Sequence, residues 1–209
     1  MTQPPLDRSL STRGPRDVTL HPGFPEDQRD QAAILFWQAF HGKLHRILTP
    51  EEKALGFLRR VADPTFAISA LSPEGRLLGV AGFKTAGGGF MGGELSDLQA
   101  VFGRFGGLWR GIALSVLERP VAPGILLMDG IMVDPVARGQ GIGQRLLTAI
   151  KARAGDLGCN RVRLDVIDTN PRARALYTRE GFVAGETAHL GPLRYIFGFR
   201  AATTMTYTL

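Results

Sequence analysis

The sequence predicts an α/β (α+β) protein built on a mixed, mostly antiparallel central sheet of about six to seven strands, with helices on both faces. Three observations predict it. Two apolar runs, 66–71 and 77–83, flank Ser72-Pro73-Glu74-Gly75-Arg76, the pattern of a hairpin with a glycine-containing turn. A third run, 125–133, feeds a glycine-rich turn and then Ile142, Leu146 and Ile150 at helical spacing. A fourth, 161–166, alternates polar and apolar residues and is followed by a helix with its own start and stop signals.

In chain order, residues 1–16 hold Pro4, Pro5 and Pro15 with little apolar content. They predict a flexible extension without the hydrophobic stretch of a signal peptide, and 17–209 predict a single domain. Residues 30–47 predict an amphipathic helix with Ala33, Phe36, Trp37, Phe40, Leu44 and Ile47 on its apolar face. Thr49-Pro50-Glu51-Glu52 predicts the start of a second helix, since Thr caps well and Pro and acids suit a first turn. After the hairpin come Gly87-Gly88-Gly89 and Gly92-Gly93, then Leu95, Leu98, Val101, Phe102, Phe105, Leu108, Trp109 and Ile112 at helical intervals. This is a helical insertion at about 86–120. Gly103, Gly106, Gly107 and Gly111 each weaken it by about 1 kcal/mol relative to alanine. A glycine-hinged helix there has three open roles: a packing helix, a mobile lid, or a dimer surface. Residues 201–209, with alternating threonines, Met205 and Tyr207, predict a final strand.

The turn after 125–133 carries the chemistry. Val133-Asp134-Pro135-Val136-Ala137-Arg138-Gly139-Gln140-Gly141-Ile142-Gly143 places strand, glycines and helix N-terminus in succession. Glycines let a phosphate approach the backbone, free N–H groups and the helix dipole favour its charge, and Arg138 adds a permanent cation. A turn whose glycines serve geometry alone is the alternative. The segment lacks the Gly-Lys-Ser/Thr ending of a P-loop, and Gln144 stands where a dinucleotide fingerprint needs its third glycine. Downstream, Asn170 is a good N-cap, Pro171 suits the first helical position, and Gly181 suits a left-handed helix end. Ala173, Leu176 and Tyr177 share one face between them.

From about residue 124 to 182 the chain resembles the GNAT superfamily of acetyl-CoA-dependent N-acetyltransferases. Arg138-x-x-Gly141-x-Gly143 matches its turn motif, and Asn170-x-x-Ala173-x-x-Leu176-Tyr177-x-x-x-Gly181-Phe182 matches its second element. Outside that stretch the resemblance is architectural, and the insertion departs from a pattern in which the next strand follows the hairpin at once. The resemblance implies a GNAT fold with its sheet splayed around the coenzyme, and acetyl-CoA as acyl donor. It implies that Ile131 and Val133 pair with the pantetheine arm like an added strand, with Met132 alongside. The pyrophosphate is then expected on Arg138, Gly139, Gln140, Gly141, Ile142, Gly143 and Gln144, with Asn170 and Ala173 on the arm where the strands splay. It implies that Tyr177 reaches the coenzyme sulfur as general acid, although a phenol of pKa about 10 donates incompletely to a thiolate of about 8.5. A half-buried helix tyrosine with a satisfied hydroxyl is the other reading. In the family, 192–200 lines the acceptor pocket; a strand with one face on the core fits those aromatic residues equally well.

A general base is harder to read. Asp129 lies in the apolar strand, where it faces either the acceptor pocket or a structural partner, and burial there raises a carboxyl pKa toward useful values. Glu94, Glu186 and His189 are weaker candidates.

The function expected is transfer of an acetyl group from acetyl-CoA to a primary amine, on a small molecule or peptide, by direct attack in a ternary complex. Cys159, the single cysteine of 209 residues, has no histidine near it in sequence, excludes an internal disulfide and fits a reducing cytoplasm. No apolar run is long enough for a membrane span, and no metal is expected. The net charge of +6 is spread over dispersed arginines. An anionic coenzyme accounts for part of it, so nucleic acid is not an expected partner. Two other classes are a non-catalytic acyl-CoA sensor, against which Tyr177 argues, and a basic nucleic-acid-binding protein, whose affinity would fall steeply with salt.

Overall fold

The computed structural model describes residues 17–115 and 121–209. Its strands are β1 (Thr19–Pro22), β2 (Ala67–Leu71), β3 (Leu77–Thr85), β4 (Gly88–Gly89), β5 (Ile125–Val133), β6 (Arg161–Ile167), β7 (Val183–His189) and β8 (Ala201–Thr208). Its helices are α1 (Arg29–Leu48), α2 (Glu51–Val61), α3 (Leu95–Phe102), α4 (Arg104–Ser115), α5 (Ile142–Asp156), α6 (Pro171–Arg179) and α7 (Arg194–Phe197). The extension expected at 1–16 and the end of the insertion at 116–120 lie outside the described residues.

The strands form one eight-stranded sheet in the order β1-β2-β3-β5-β6-β8-β7, with β4 added to β3. Every pairing is antiparallel except β5 with β6. That parallel pairing runs only from Ile125↔Arg161 to Leu127↔Arg163. Beyond it β5 stays on β3 as far as Val133, while β6 stays on β8 as far as Ile167. The two strands therefore part, and a cleft opens in mid-sheet. The expected mixed, splayed sheet is present, with more strands than the six or seven expected: β1 and the two-residue β4 extend it.

Alternation sorts the side chains into two cores. Val162, Leu164 and Val166 of β6 pack beneath α5 and α6, with Ile142, Leu146, Leu147, Ile150 and Tyr177. On the other face Phe36, Trp37, Ile47, Leu58 and Leu98 close over Met132 and Val80. Burial of this kind is worth about 1.5–3 kcal/mol per large side chain.

The insertion is two helices rather than one. Gly103 ends α3 at φ 76, a left-handed value, and α4 starts at the next residue. Gly107 serves contact: a Cβ there would stand 2.6 Å from the Gln99 backbone nitrogen. α3 buries Leu98 in the core beside Phe57 of α2, which fits the packing role. Arg110 stacks on Phe102 and Trp109 and donates to the Thr49 carbonyl at 2.9 Å, tying α4 to the junction of α1 and α2.

Two local expectations need correction. Residues 192–200 do not form a strand. Arg194–Phe197 is a short helix ended by Gly198 at φ 74, which drops Phe197 into the core. α2 starts at Glu51 with Pro50 as its N-cap and no side-chain cap, so Thr49 does not cap it.

Candidate active site

The end of β5 is held by Asp134. Its N–H donates to the Leu78 carbonyl at 2.8 Å, its Oδ1 accepts from the Val136 N–H, and its Oδ2 accepts from Arg76 at 2.6 Å. Nothing in the sequence singles out the Arg76–Asp134 pair, because its members lie 58 residues apart. From this anchor the chain swings through Gly139 (φ 81) and Gly141 (φ 77) into α5. Gly141 is the N-cap of α5 and brings no side chain to the helix end. The first helical bond at this end runs from the Arg145 N–H to the Gly141 carbonyl. The N–H groups of Ile142, Gly143 and Gln144 therefore point out of the helix end, where the dipole is positive. A Cβ at Gly139 or Gly141 would meet nothing within 4 Å, so the turn faces open space. Arg138 is exposed beside it and donates through Nε to the Val133 carbonyl at 3.2 Å. Ile142 is buried, which leaves its N–H as its contribution to the turn. The sum is an anion cradle.

The open edge of β5 adjoins the cradle. Asp134 turns its N–H to β3, and Met132, two residues earlier and paired with Val80, does the same. The alternate residues Ile131 and Val133 turn their N–H and C=O groups to the side that β6 has left. Met132 sends its side chain into the core, so the edge groups belong to Ile131 and Val133. α6 closes the other side. An added Cβ on Gly143 would lie 3.8 Å from Leu176 and 3.9 Å from Ile131, so turn, α6 and β5 meet here.

Asn170 caps α6, its Oδ1 accepting from the Ala173 N–H at 3.1 Å. The sequence predicted that cap, and Pro171 follows it as the first helical residue. Tyr177 is buried on the α5 side of the sheet, with its ring 5.9 Å from that of Phe182. Burial pushes its hydroxyl pKa up to about 12.

Asp129 stands on the opposite face, and a bulge puts it there. The β3–β5 register steps from Gly82↔Gly130 to Phe83↔Met128, leaving Asp129 without a partner. Gly130 beside it leaves room for Phe40, whose Cζ would be 2.9 Å from a Cβ. Asp129 lines a cavity of about 710 Å³ whose floor is the β5–β6 cleft and whose walls are α1, α2, α3 and α4. Its Oδ2 is fully covered and has no hydrogen-bond partner among the described residues. Loss of solvent raises its pKa from the ordinary 3.8 to about 6, with the Lys84 charge partly opposing. A carboxylate so placed accepts a proton near neutral pH.

Of the weaker candidates, Glu94 lines the cavity but caps α3 in a reciprocal box with Asp97. Glu186 and His189 stand exposed on the edge strand β7 and do not line the cavity. Lys43, Lys84 and Asp165, which do line it, were not singled out from the sequence; they belong to separate elements, and only the fold brings them together.

A model of the acetyltransferase (GNAT) family matches residues 30–182. The chain belongs to the GNAT acetyltransferase family. Its fold is similar to that of a GCN5-related N-acetyltransferase from Kribbella flavida, with a TM-score of 0.63 at 17% identity, covering 94% of this chain and 100% of that one. It is also similar to a GNAT superfamily phosphinothricin acetyltransferase from Sinorhizobium meliloti, solved in complex with AcCoA (TM-score 0.58, 17% identity, 92% and 89% covered). In sequence, the thialysine N-epsilon-acetyltransferase of Bos taurus is 41% identical over 56 residues, which is 27% of this chain and 33% of that protein. The chain thus spans about a third of the length of this curated relative.

Proposed function

We propose that the protein transfers the acetyl group of acetyl-CoA to a primary amine by direct attack in a ternary complex. The observation that carries this reading is the placing of Asp129. Asp129 lines the cavity with one carboxylate oxygen covered and without a hydrogen-bond partner among the described residues, two residues before the open β5 edge begins at Ile131. The residues present fit the coenzyme. The cradle from Arg138 to Gln144 suits a pyrophosphate, and the edge groups of Ile131 with the N–H of Val133 suit the amides of a pantetheine arm, the Val133 carbonyl being held by Arg138 Nε. Asn170 and Ala173 flank the arm at the head of α6.

An amine arrives largely as ammonium at neutral pH, because its pKa is about 10. Asp129 takes its proton, and the free nitrogen attacks the thioester carbonyl. An edge N–H of β5 polarises that oxygen. Collapse expels the thiolate, and the Tyr177 hydroxyl donates a hydrogen bond to it. The nitrogen gives up its second proton to the thiolate and Asp129 releases the first to solvent, so the balance is amide, free thiol and one proton released. Cys159 takes no part. It follows α5, whose 15 residues put it on the order of 20 Å from the cradle. Its solitary thiol suits a reducing compartment, and we place the reaction in the cytoplasm. Among the described residues no helix is long and apolar enough to cross a membrane.

Initial rates of thiol release, with acetyl-CoA and amine both varied, test the direct route. Intersecting double-reciprocal lines are expected. Parallel lines would mark an acyl-enzyme and overturn it.

A further inference from the structure

The cavity beside Asp129 says more about the acceptor than the sequence does. At about 710 Å³ it falls in the size range of small-molecule sites. Its walls are apolar: Phe36, Phe40 and Phe57 from α1 and α2, with Leu98, Leu108 and Ile112 from the insertion. Leu108 and Ile112 line it while 47% and 64% exposed. Large apolar side chains left open to water at a cavity are surface that an apolar ligand covers.

Five charged side chains line the cavity, Lys43, Lys84, Glu94, Asp129 and Asp165, and four of them act on one another. Lys84 acts on Asp129, and Asp165 acts on Lys43. Lys43 lies over the rings of Phe40 and Phe199, at 5.2 and 5.4 Å, and burial lowers its pKa. Asp165 already accepts from the Thr204 hydroxyl at 2.7 Å, and Glu94 is committed to capping α3. Beside Asp129, a further ammonium of a polyamine would meet Lys43, Lys84 and an Asp165 that already holds partners, with Glu94 out on the exposed rim. Sugar hydroxyls would lose water against Phe36, Phe40, Phe57, Leu98, Leu108 and Ile112, which offer them no hydrogen bonds.

We infer that the acceptor is a hydrophobic monoamine, an alkyl- or arylalkylamine whose body fills the cavity between α1 and α4 with its nitrogen at Asp129. The inference rests on the acetyl-transfer reading above and narrows it to a substrate class. In this account α4 is the specificity wall, and the insertion supplies the surface that distinguishes apolar from polar amines.

The test is kcat/KM by thiol release for ethylamine, butylamine, hexylamine and 2-phenylethylamine, set against spermidine and glucosamine. The alkyl series should climb about fourfold per methylene. Spermidine and glucosamine should fall at least about a hundredfold below hexylamine. Ile112→Asp should cut the hexylamine-to-ethylamine ratio by about tenfold or more, with the melting-temperature rise given by acetyl-CoA showing that the variant is folded. Rates indifferent to chain length, or a preference for spermidine or glucosamine, would overturn the acceptor class and leave acetyl transfer standing. No turnover with any of these amines, while acetyl-CoA still raises the melting temperature, would overturn the acceptor class alone; absence of that rise in the wild-type protein would overturn the acetyl-transfer reading as well. A wild-type dimer that Ile112→Asp dissociates would make the α4 face an interface and overturn the inference.

Discussion

Asp129→Asn should lower kcat by about 10²- to 10⁴-fold and make the protein more stable. The two effects share one cause. Burial raises the carboxyl pKa from 3.8 to about 6, so between those values the folded chain holds a proton that the unfolded chain has released. Stability attached to this group is therefore full below pH 3.8 and falls as pH rises through that window. At neutral pH the ionised side chain is a net penalty. A shift of this size corresponds to at most about 3 kcal/mol, at about 1.36 kcal/mol per unit. Removing the charge should raise the melting temperature at pH 7 by several degrees, since about 1 kcal/mol moves a domain of this size by about 2–4 °C. Below about pH 4 the two proteins should melt alike. Activity unchanged in the variant would remove Asp129 from the reaction. Activity lost together with stability would mean that its carboxylate holds the fold.

Tyr177→Phe should keep coenzyme binding and lower turnover by about 10²-fold. The hydroxyl pKa of about 12 lies far above that of a leaving thiolate, about 8.5, so the proton stays largely on the tyrosine. Tyr177 then acts as a hydrogen-bond donor to the forming thiolate, and the rate should show no titration of its own below pH 10. Phenylalanine preserves the packing on Phe182, so a loss of turnover without a fall in melting temperature isolates the hydroxyl. Turnover at the wild-type level would assign Tyr177 to packing alone.

What the sequence made legible was local. The cradle is written in Arg138, Gly141 and Gly143, and the start of α6 in Asn170 and Pro171, because backbone conformation and capping depend on a few adjacent residues. β6 declared itself by alternating over a one-sided core. β7 did not, since all seven of its residues are exposed and carry no apolar rhythm. The bulge at Asp129 is a matter of register between β3 and β5, so the sequence offered the acid but not the direction in which it points. The insertion's glycines read as weakness in one helix. Only the approach of Gln99 to Gly107 shows that one of them makes room for a neighbour. The cavity was least legible, since Lys43, Asp129 and Asp165 come from α1, β5 and β6 and meet only in the fold.

The central claim, that Asp129 is the base, is tested most directly by the pH dependence of kcat/KM for the amine at saturating acetyl-CoA. With the wild-type protein, log kcat/KM should rise with unit slope to about pH 6 and then level off, as a carboxyl with that pKa gives up its proton. Asp129→Asn should lose that limb. A wild-type profile flat from about pH 5 to 7, or the same limb retained in the variant, would contradict the account.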